Sequence, residues 1–436
     1  MARFGFVADD LTGAGDVLAQ AHSYGLDAVL AIGDAPLPTN VDVVGIAGPA
    51  RSLGGIAFDE LVRRDLKRIA ELDLEVILYK VCSTFDSSPT IGSIGRGLDL
   101  LHEQFPKHGS VPVVPAQPRF GRYTAFSHHF AASGDGIFRL DRHPVMSSHP
   151  STPMSEADLR IVLAEQLNGA RTLDALHLPV YSDGSFGAVW KNLREKRNTV
   201  AFVVDAVDDT HLDQVASALL QNGRHNEPSI VVGSGGIMTA LAKSSATTGR
   251  RDAGTATATG PVLAVSASAS DVTARQIDHA TRSGWIEVAV PANLLHDHNE
   301  AELFKIEQQV TEALQNNRNT IVHTTRGASD PRFSDSRPVS AQHVGTIIGT
   351  LAGRMMSRGL TRDVAVFGGD TSSHALIAMG VSYLRVTDQF VTAGPICSSD
   401  DDADVAGCRL LLKGGQVGPI DILQRFASKA RRELKP

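Results

Sequence analysis

With 436 residues, 42% of them hydrophobic and 20% charged, the chain has the composition of a globular protein and the length of two domains rather than one core. Its formal charge of -7 argues against a nucleic-acid partner, since such proteins gather Lys and Arg on one face. No apolar run approaches the ~20 residues of a spanning helix, and the start has no secretory h-region, so the expected location is the cytoplasm with no membrane partner. Cys82, Cys397 and Cys408 are far apart, which suits reduced thiols better than disulfides or a zinc site.

Short β-rich runs alternate with helical patterns along the first half, and that order predicts βαβ units. Strands are expected at Arg3–Ala8, Ala28–Ile32, Val43–Ala47, Val76–Lys80, Val111–Pro115 and Thr199–Val204, with a helix over Thr12–Tyr24 closed by Gly25. Ser244–Gly260, rich in Ser, Thr, Ala and Gly, lacks apolar periodicity and reads as a linker, or else as a surface loop within one domain. Beyond it the alternation resumes. Strands are expected at Val262–Ser266, Trp285–Val290, Thr320–Thr324, Val364–Phe367, Val381–Val386 and Arg409–Lys413. Helices are expected at Asp271–Arg282, Glu300–Asn316, Gln342–Arg358, Ser372–Met379 and Ile420–Leu434. The predicted fold is α/β, two domains with mostly parallel sheets flanked by helices, over residues 1–243 and 261–436 with 244–260 between them. No sequence repeat relates the halves.

In the second half Val366-Phe367-Gly368-Gly369-Asp370-Thr371-Ser372-Ser373 ends a strand in two glycines and opens a helix, an arrangement that aims backbone N–H groups at an anion. The same residues suit a plain tight turn with Thr371 or Ser372 as N-cap. Lys413-Gly414-Gly415-Gln416-Val417-Gly418-Pro419 and Ser266-Ala267-Ser268-Ala269-Ser270 are further strand-end turns. In an open parallel sheet such turns share an edge, so the three together could cradle a nucleotide. Neither a G-x-x-x-x-G-K-[ST] nor a G-x-G-x-x-G pattern is present, which disfavours P-loop and dinucleotide sites.

In the first half Asp9 and Asp10 stand at the end of strand one. They could accept hydroxyl hydrogen bonds, hold Mg²⁺ or take a proton from an alcohol, or Asp10 or Thr12 could simply cap the helix. Lys80-Val81-Cys82-Ser83-Thr84-Phe85-Asp86 offers a cation, hydroxyls and a carboxylate, the groups needed for a polyhydroxy acid. Gly92–Arg96 could lend helix N–H groups to an anion, and Arg119 with Arg122 could complete a carboxylate clamp, though each alone reads as surface charge. Adjacent His128 and His129 point apart and rarely share a metal; Cys82, without a partnered base, reads as a buried small residue.

These blocks, in this order, resemble the four-carbon acid sugar kinase family: ADDLTGAGD, YKVCSTFDSSPTIGSIG, PAQPRFGRYT, VSASASDVTARQI, FGGDTSSHAL and LLLKGGQVGPIDIL. The resemblance implies a sugar-acid-binding first domain, an ATP-binding second domain, and ATP- and Mg²⁺-dependent phosphorylation of a terminal hydroxyl. The acids it implies are threonate, erythronate, 3-oxo-tetronates or branched apionate-derived relatives. It further implies that Asp9, Asp10, Lys80, Ser83, Asp86 and Arg122 hold the acid, while Ser266, Ser268, Gly368, Gly369, Asp370, Thr371, Lys413, Gly414 and Gly418 face ATP. Asp10 is then the expected base and Asp370 orients phosphate or Mg²⁺, with closure excluding water. Many family members read KTDSTLRGNIG where this chain has KVCSTFDSSPTIGSIG, and commonly SGS where it has Ser266-Ala267-Ser268, so the acid itself is left open. A homodimer is also left open. The rival readings are a sugar-acid sensor without turnover and a hydroxy-acid dehydrogenase.

Overall fold

A computed structural model describes residues 2–149, 151–169, 171–196, 198–223, 227–246, 257–296, 299–327, 330, 339–391, 394–399, 405–415 and 417–428. The chain divides into two compact units, Met1–Leu30 with Pro36–Arg251, and Ala31–Ala35 with Asp252–Pro436. Among the described residues no helix is long and apolar enough to cross a membrane.

The first unit contains strands β1 (Phe4–Ala8), β2 (Ala28–Ile32), β3 (Val43–Ala47), β4 (Val76–Lys80), β5 (Val111–Val114), β6 (Arg122–Ala125), β7 (His128–Ser133), β8 (Gly136–Arg139), β9 (Thr172–Leu176), β10 (Thr199–Val204) and β11 (Ser229–Gly233). Its main sheet runs β2-β3-β1-β4-β11-β5-β10-β9, and from β3 to β9 every pairing is parallel. All five residues of β1, β3, β4 and β11 are buried, the continuous apolar run of strands covered on both faces. Gly45 is part of that packing, because a Cβ there would stand 2.0 Å from the Phe6 ring. A small antiparallel sheet, β6-β7-β8, is attached to this frame and was not expected from the sequence.

The second unit adds β12 (Val262–Ser266), β13 (Ile286–Ala289), β14 (Thr320–His323), β15 (Asp363–Phe367), β16 (Tyr383–Val391), β17 (Gly394–Ser399) and β18 (Arg409–Lys413), ordered β13-β14-β12-β15-β18-β17-β16. Its core gathers Val262, Ala264, Ile277, Trp285, Ile321, Phe367, Leu411 and Phe426. The helix Asp271–Arg282 lies where expected, and the last helix is Ile422–Ala427, with residues 429–436 outside the described ones. The strand expected at Val381–Val386 runs on to Val391 and pairs antiparallel with β17, which the sequence reading did not contain. Part of the expected linker, 247–256, lies outside the described residues; Ala258 is buried, and Thr259 donates from its backbone N–H to Asp363.

Each unit begins with the same topology. In the first, four successive strands take the spatial order second, third, first, fourth (β2-β3-β1-β4), and in the other β13-β14-β12-β15 repeats it. The chain therefore leaves β1 towards one side and β4 towards the other, and likewise β12 and β15. A crevice opens where neighbouring strands send their connections in opposite directions, so the β1/β4 and β12/β15 carboxyl ends are where each fold offers a site.

Candidate functional site

At the β1/β4 switch point Asp9 and Asp10 are both buried. Asp10 caps the helix Leu11–Ser23, its Oδ1 accepting the Gly13 N–H at 2.7 Å, so the capping reading is correct as far as it goes. Its other oxygen accepts from Arg51 Nη1 at 2.9 Å, while Arg51 grips Asp9 with two bonds, Nε to Oδ2 at 3.0 Å and Nη2 to Oδ1 at 2.7 Å. Arg51, on the turn after β3, was not singled out from the sequence. The rule that gathers strand-end turns on one edge places its turn there, but not its partners. Burial, together with the Asp10 charge, raises the Asp9 carboxyl above its ordinary range against the pull of Arg51. Burial works to lower Arg51, yet the two carboxylates leave it well above its ordinary value, so it stays charged.

Lys80, buried at the end of β4, joins this corner. A Cβ on Gly13 would meet Asp10 Oδ1 at 2.5 Å, Lys80 Nζ at 2.7 Å and Arg51 Nη2 at 3.6 Å, so the three charged groups converge on one glycine. Beyond Lys80, Cys82 Sγ lies 3.0 Å from the Thr84 hydroxyl, which donates to Asp86 Oδ1 at 2.7 Å. Burial first, then Asp86, pushes the Cys82 thiol up to about 11, which keeps it protonated and agrees with the reading of an unreactive cysteine. The Ser83 carbonyl accepts from His129 Nε2 at 2.8 Å, and His129 Nδ1 accepts from the Thr124 hydroxyl at 2.9 Å. That tautomer follows because a carbonyl only accepts. Burial lowers His129 to about 4, so a neutral ring ties β7 to the Ser83 turn. His128 points elsewhere, bonded to the Phe126 carbonyl. Among the described residues no group of three or more His, Cys, Asp or Glu is placed to hold a metal.

Two expectations fail. Arg119 does not form a clamp with Arg122: its Nε donates to Asp209 at 2.7 Å and its Nη2 to the Tyr24 hydroxyl, away from the acid corner. The carboxylate on the neighbouring helix simply outcompetes the site. Nor are the N–H groups of Gly92, Gly95 and Arg96 open, because they donate to the Leu53 carbonyl, to Gln166 Oε1 at 3.0 Å and to the Ser93 hydroxyl. Gln166, distant in sequence, was missed. Arg122 is better placed. Its Nη1 donates to the carbonyls of Phe120, Gly121 and Ala132, its buried Nε has no partner among the described residues, and burial lowers it against the opposing charge of Asp86.

At the β12/β15 switch point the materials are different. Three turns meet: Ala267 N–H donates to the Phe367 carbonyl, Gly368 N–H to the Lys413 carbonyl, and a Cβ on Gly415 would stand 2.5 Å from Ser268 Oγ. The helix Asp370–Ala378 starts after Gly369 with no side-chain cap. Neither Thr371 nor Ser372 is the N-cap, since the Ser372 hydroxyl bonds back to the Gly368 carbonyl. The side chain of Asp370 lies outside the described ones. Ser266 Oγ accepts from Ser268 N–H and Ser268 Oγ from Ser270 N–H. Gly418 has φ 89, a value that favours glycine, and the carbonyls of Val417, Gly418 and Pro419 all accept from Gln276 Nε2. Gln276 and Thr273, whose hydroxyl bonds to the Gly415 carbonyl, were not picked out from sequence, nor was a fourth turn, Thr324–Gly327, joined by Thr324 N–H to the Ser266 carbonyl.

Lys413 is buried among these turns. It is 1% exposed, its Nζ lies 4.2 Å from the Phe367 ring centroid, and it donates to the Gly414 carbonyl at 2.9 Å and the Thr273 hydroxyl at 3.3 Å. No carboxylate pairs with it among the described residues, and burial lowers it to about 7. A buried ammonium without a counter-ion calls for an anion.

Two open α/β units with a cluster of charged side chains in one and a main-chain anion cradle in the other define a protein of the sugar-binding and nucleotide-binding kind. Family models agree: one for a sugar-binding N-terminal domain matches residues 4–241, and one for a nucleotide-binding C-terminal domain matches residues 263–423. The chain belongs to the four-carbon acid sugar kinase family. It is 32% identical to a 3-oxo-isoapionate kinase of Paraburkholderia graminis, covering 95% of this chain and 91% of that one, and 24% identical to a 3-oxo-tetronate kinase of Pectobacterium atrosepticum over 100% of both. A solved protein from Salmonella typhimurium LT2 shares the fold at TM-score 0.77 and 20% identity, with 98% of each chain covered.

Proposed function

We propose that the chain is an ATP-dependent kinase that phosphorylates a terminal hydroxyl of a small sugar acid: a tetronate, a 3-oxo-tetronate or a branched, apionate-derived acid. The observation that carries this reading is Lys413, a buried lysine with no carboxylate partner among the described residues, beneath three converging turns and an uncapped helix start. A triphosphate supplies what that corner lacks. Ser266, Ser268, Gly368, Gly369, Thr371, Gly414 and Gly418 then line its path, and Gln276 and Thr273 hold the Lys413–Gly418 turn against them. Mg²⁺ bound with the triphosphate supplies charge neutralisation, and Asp370, at the helix start, is the carboxylate assigned to orient it or the phosphate; its remaining ligands would be phosphate and water oxygens.

On the other unit Lys80 and Arg122 take the acid's carboxylate, Ser83 and Asp86 read its hydroxyls, and Arg51 binds Asp9 and Asp10 beside them. Asp10 accepts the proton of the attacking hydroxyl, and Asp9 keeps Arg51 in place. In-line transfer needs that hydroxyl and the γ-phosphate together in a site from which water is excluded, because a wet site hydrolyses ATP. A branched acid is the substrate to try first, because the Paraburkholderia relative is named for one and the Ser87–Ile91 stretch departs from the common family block. Such a reaction belongs where ATP is plentiful, in the cytoplasm.

An ADP-release assay with threonate, erythronate, their 3-oxo forms and branched C5 analogues tests the assignment. Turnover with at least one of them is expected. Silence with every acid, alongside a melting temperature raised by ADP, would leave a sensor in place of an enzyme.

A further inference from the structure

The opposite edge of the first unit's sheet carries a second concentration of charge. There the parallel strands β5, β10 and β9 begin, and their starts, with the ends of the helices Ile94–Gln104 and Phe186–Glu195, wall a groove of ≈ 920 Å³. Among the described residues five cations line it, Lys107, Arg171, Lys191, Arg194 and Lys196, against the single carboxylate Glu195. Arg171 pairs with Asp99 at 3.3 Å and Lys196 with Asp174 at 2.5 Å. No carboxylate bridges to Lys107, Lys191 or Arg194 among the described residues.

A cation in the last turn of a helix offsets its dipole of about half a charge, and that accounts for Arg194 but not for Lys191. It does not account for Lys107, or for the groups beneath the groove. The Ser110 hydroxyl, His108 Nδ1 and Arg194 Nη1 are all buried without a hydrogen-bond partner among the described residues, while Arg194 Nη2 donates to the His108 carbonyl at 3.2 Å. Because Ile230 N–H donates to His108 Nε2 at 2.7 Å, the imidazole proton sits on Nδ1, so each of these three atoms has a hydrogen to give. Burial, with Arg194 and His102 adding to it, lowers His108 to about 3, and His102 is lowered by burial with Arg171 acting in the same sense. Both rings therefore stay neutral, and the positive field of the groove comes from lysine and arginine alone.

We propose that this groove binds a phosphate monoester or inorganic phosphate dianion, a second anion site remote from the Asp9–Asp10 corner. Phosphate matches on two counts: it only accepts hydrogen bonds, and it carries the charge that Lys107, Lys191 and Arg194 leave without a bridging carboxylate among the described residues. A concave groove on this scale admits a metabolite, while the formal charge of -7 over the whole chain repels an extended polyanion. The ligand has two natural sources, free phosphate and the phosphorylated acid that the proposed reaction would release.

Calorimetric titration of the full chain with inorganic phosphate, and separately with 4-phosphoerythronate, tests the site. Three proteins are compared: the unaltered chain, the double charge reversal Lys107→Glu with Lys191→Glu, and Asp10→Asn. Both lysines are exposed, so the reversal leaves the core untouched. Binding is expected to weaken at least about tenfold in the reversal, to persist in Asp10→Asn and to weaken with added salt. Equal affinity in the reversal, or loss in Asp10→Asn alone, would overturn the proposal. Equal affinity for the two ligands would mark a site that reads phosphate only, and tighter binding of the phosphorylated acid would mark feedback from the product. The inorganic phosphate arm needs no turnover, so its result stands whether or not the chain proves to be a kinase.

Discussion

The two units open with the same strand order and offer a site at the same topological position, yet they furnish it with opposite materials. In the first, Arg51 is already paired with Asp9 and Asp10 before any ligand arrives, and Lys80 converges on the same corner. In the second, the turns present main chain and small hydroxyls around Lys413, a buried lysine with no carboxylate partner among the described residues. Topology decides where a crevice opens, and the residues at strand ends decide what it holds. A corner of paired charges suits a small, variously hydroxylated acid, whereas a glycine-lined corner suits a ligand that brings several charges of its own.

Variants that strike one corner should leave the other intact, and the largest effect is expected from Asp10→Asn. Asparagine still caps the helix, so the melting temperature should hold while kcat with the acid falls by ~10²–10⁴; near-normal turnover would remove Asp10 from the role of base. Lys413→Met comes next. Losing a charge-assisted bond of ~1.5–3 kcal/mol should weaken ADP binding ~10–100-fold, measured by calorimetry, without changing affinity for the acid.

The same lysine makes a pH prediction. Burial lowers Lys413 to about 7 in the free protein, and a bound polyphosphate raises it again, so binding takes up a proton once the free lysine is neutral. Nucleotide affinity should be full below pH 7 and fall by up to about tenfold per unit above it, with heats that depend on the buffer. The sign for folding is opposite: the unfolded lysine holds its proton to higher pH, so this group's contribution to stability rises from pH 7 upward. Lys413→Met should abolish both slopes.

Smaller and more selective effects come from the glycines. Gly13→Ala puts a methyl 2.5 Å from Asp10 Oδ1 and 2.7 Å from Lys80 Nζ, and should raise KM for the acid alone. Gly415→Ala, 2.5 Å from Ser268 Oγ, should raise KM for ATP alone. If either substitution moved both constants equally, the separation of the two sites would be wrong. The smallest change is expected for Ser270→Ala, which removes the cap of Asp271–Arg282 and should cost ~1 kcal/mol in a urea melt with little effect on turnover.

The sequence alone was enough for the α/β class, for most of the central strands, and for the strand-end turns, because buried parallel strands are continuous apolar runs and glycine-rich turns punctuate them. It also carried the family, since six ordered blocks are specific where one is not. It could not reveal that Arg51 closes on Asp9 and Asp10, that Gln166 occupies the N–H groups of Gly95, or that Arg119 turns to Asp209, because those partners lie 41, 42, 71 and 90 positions apart. Nor did it show that both units repeat one strand order, for a spatial order leaves no periodic trace in residues that need only be apolar. What the chain settled by itself was local: which segments are strands, which turns are free of bulk and which residues carry charge. Which charges are cancelled and which are left waiting for a ligand was decided only by folding, since a side chain's partner is set by the strand that lands beside it.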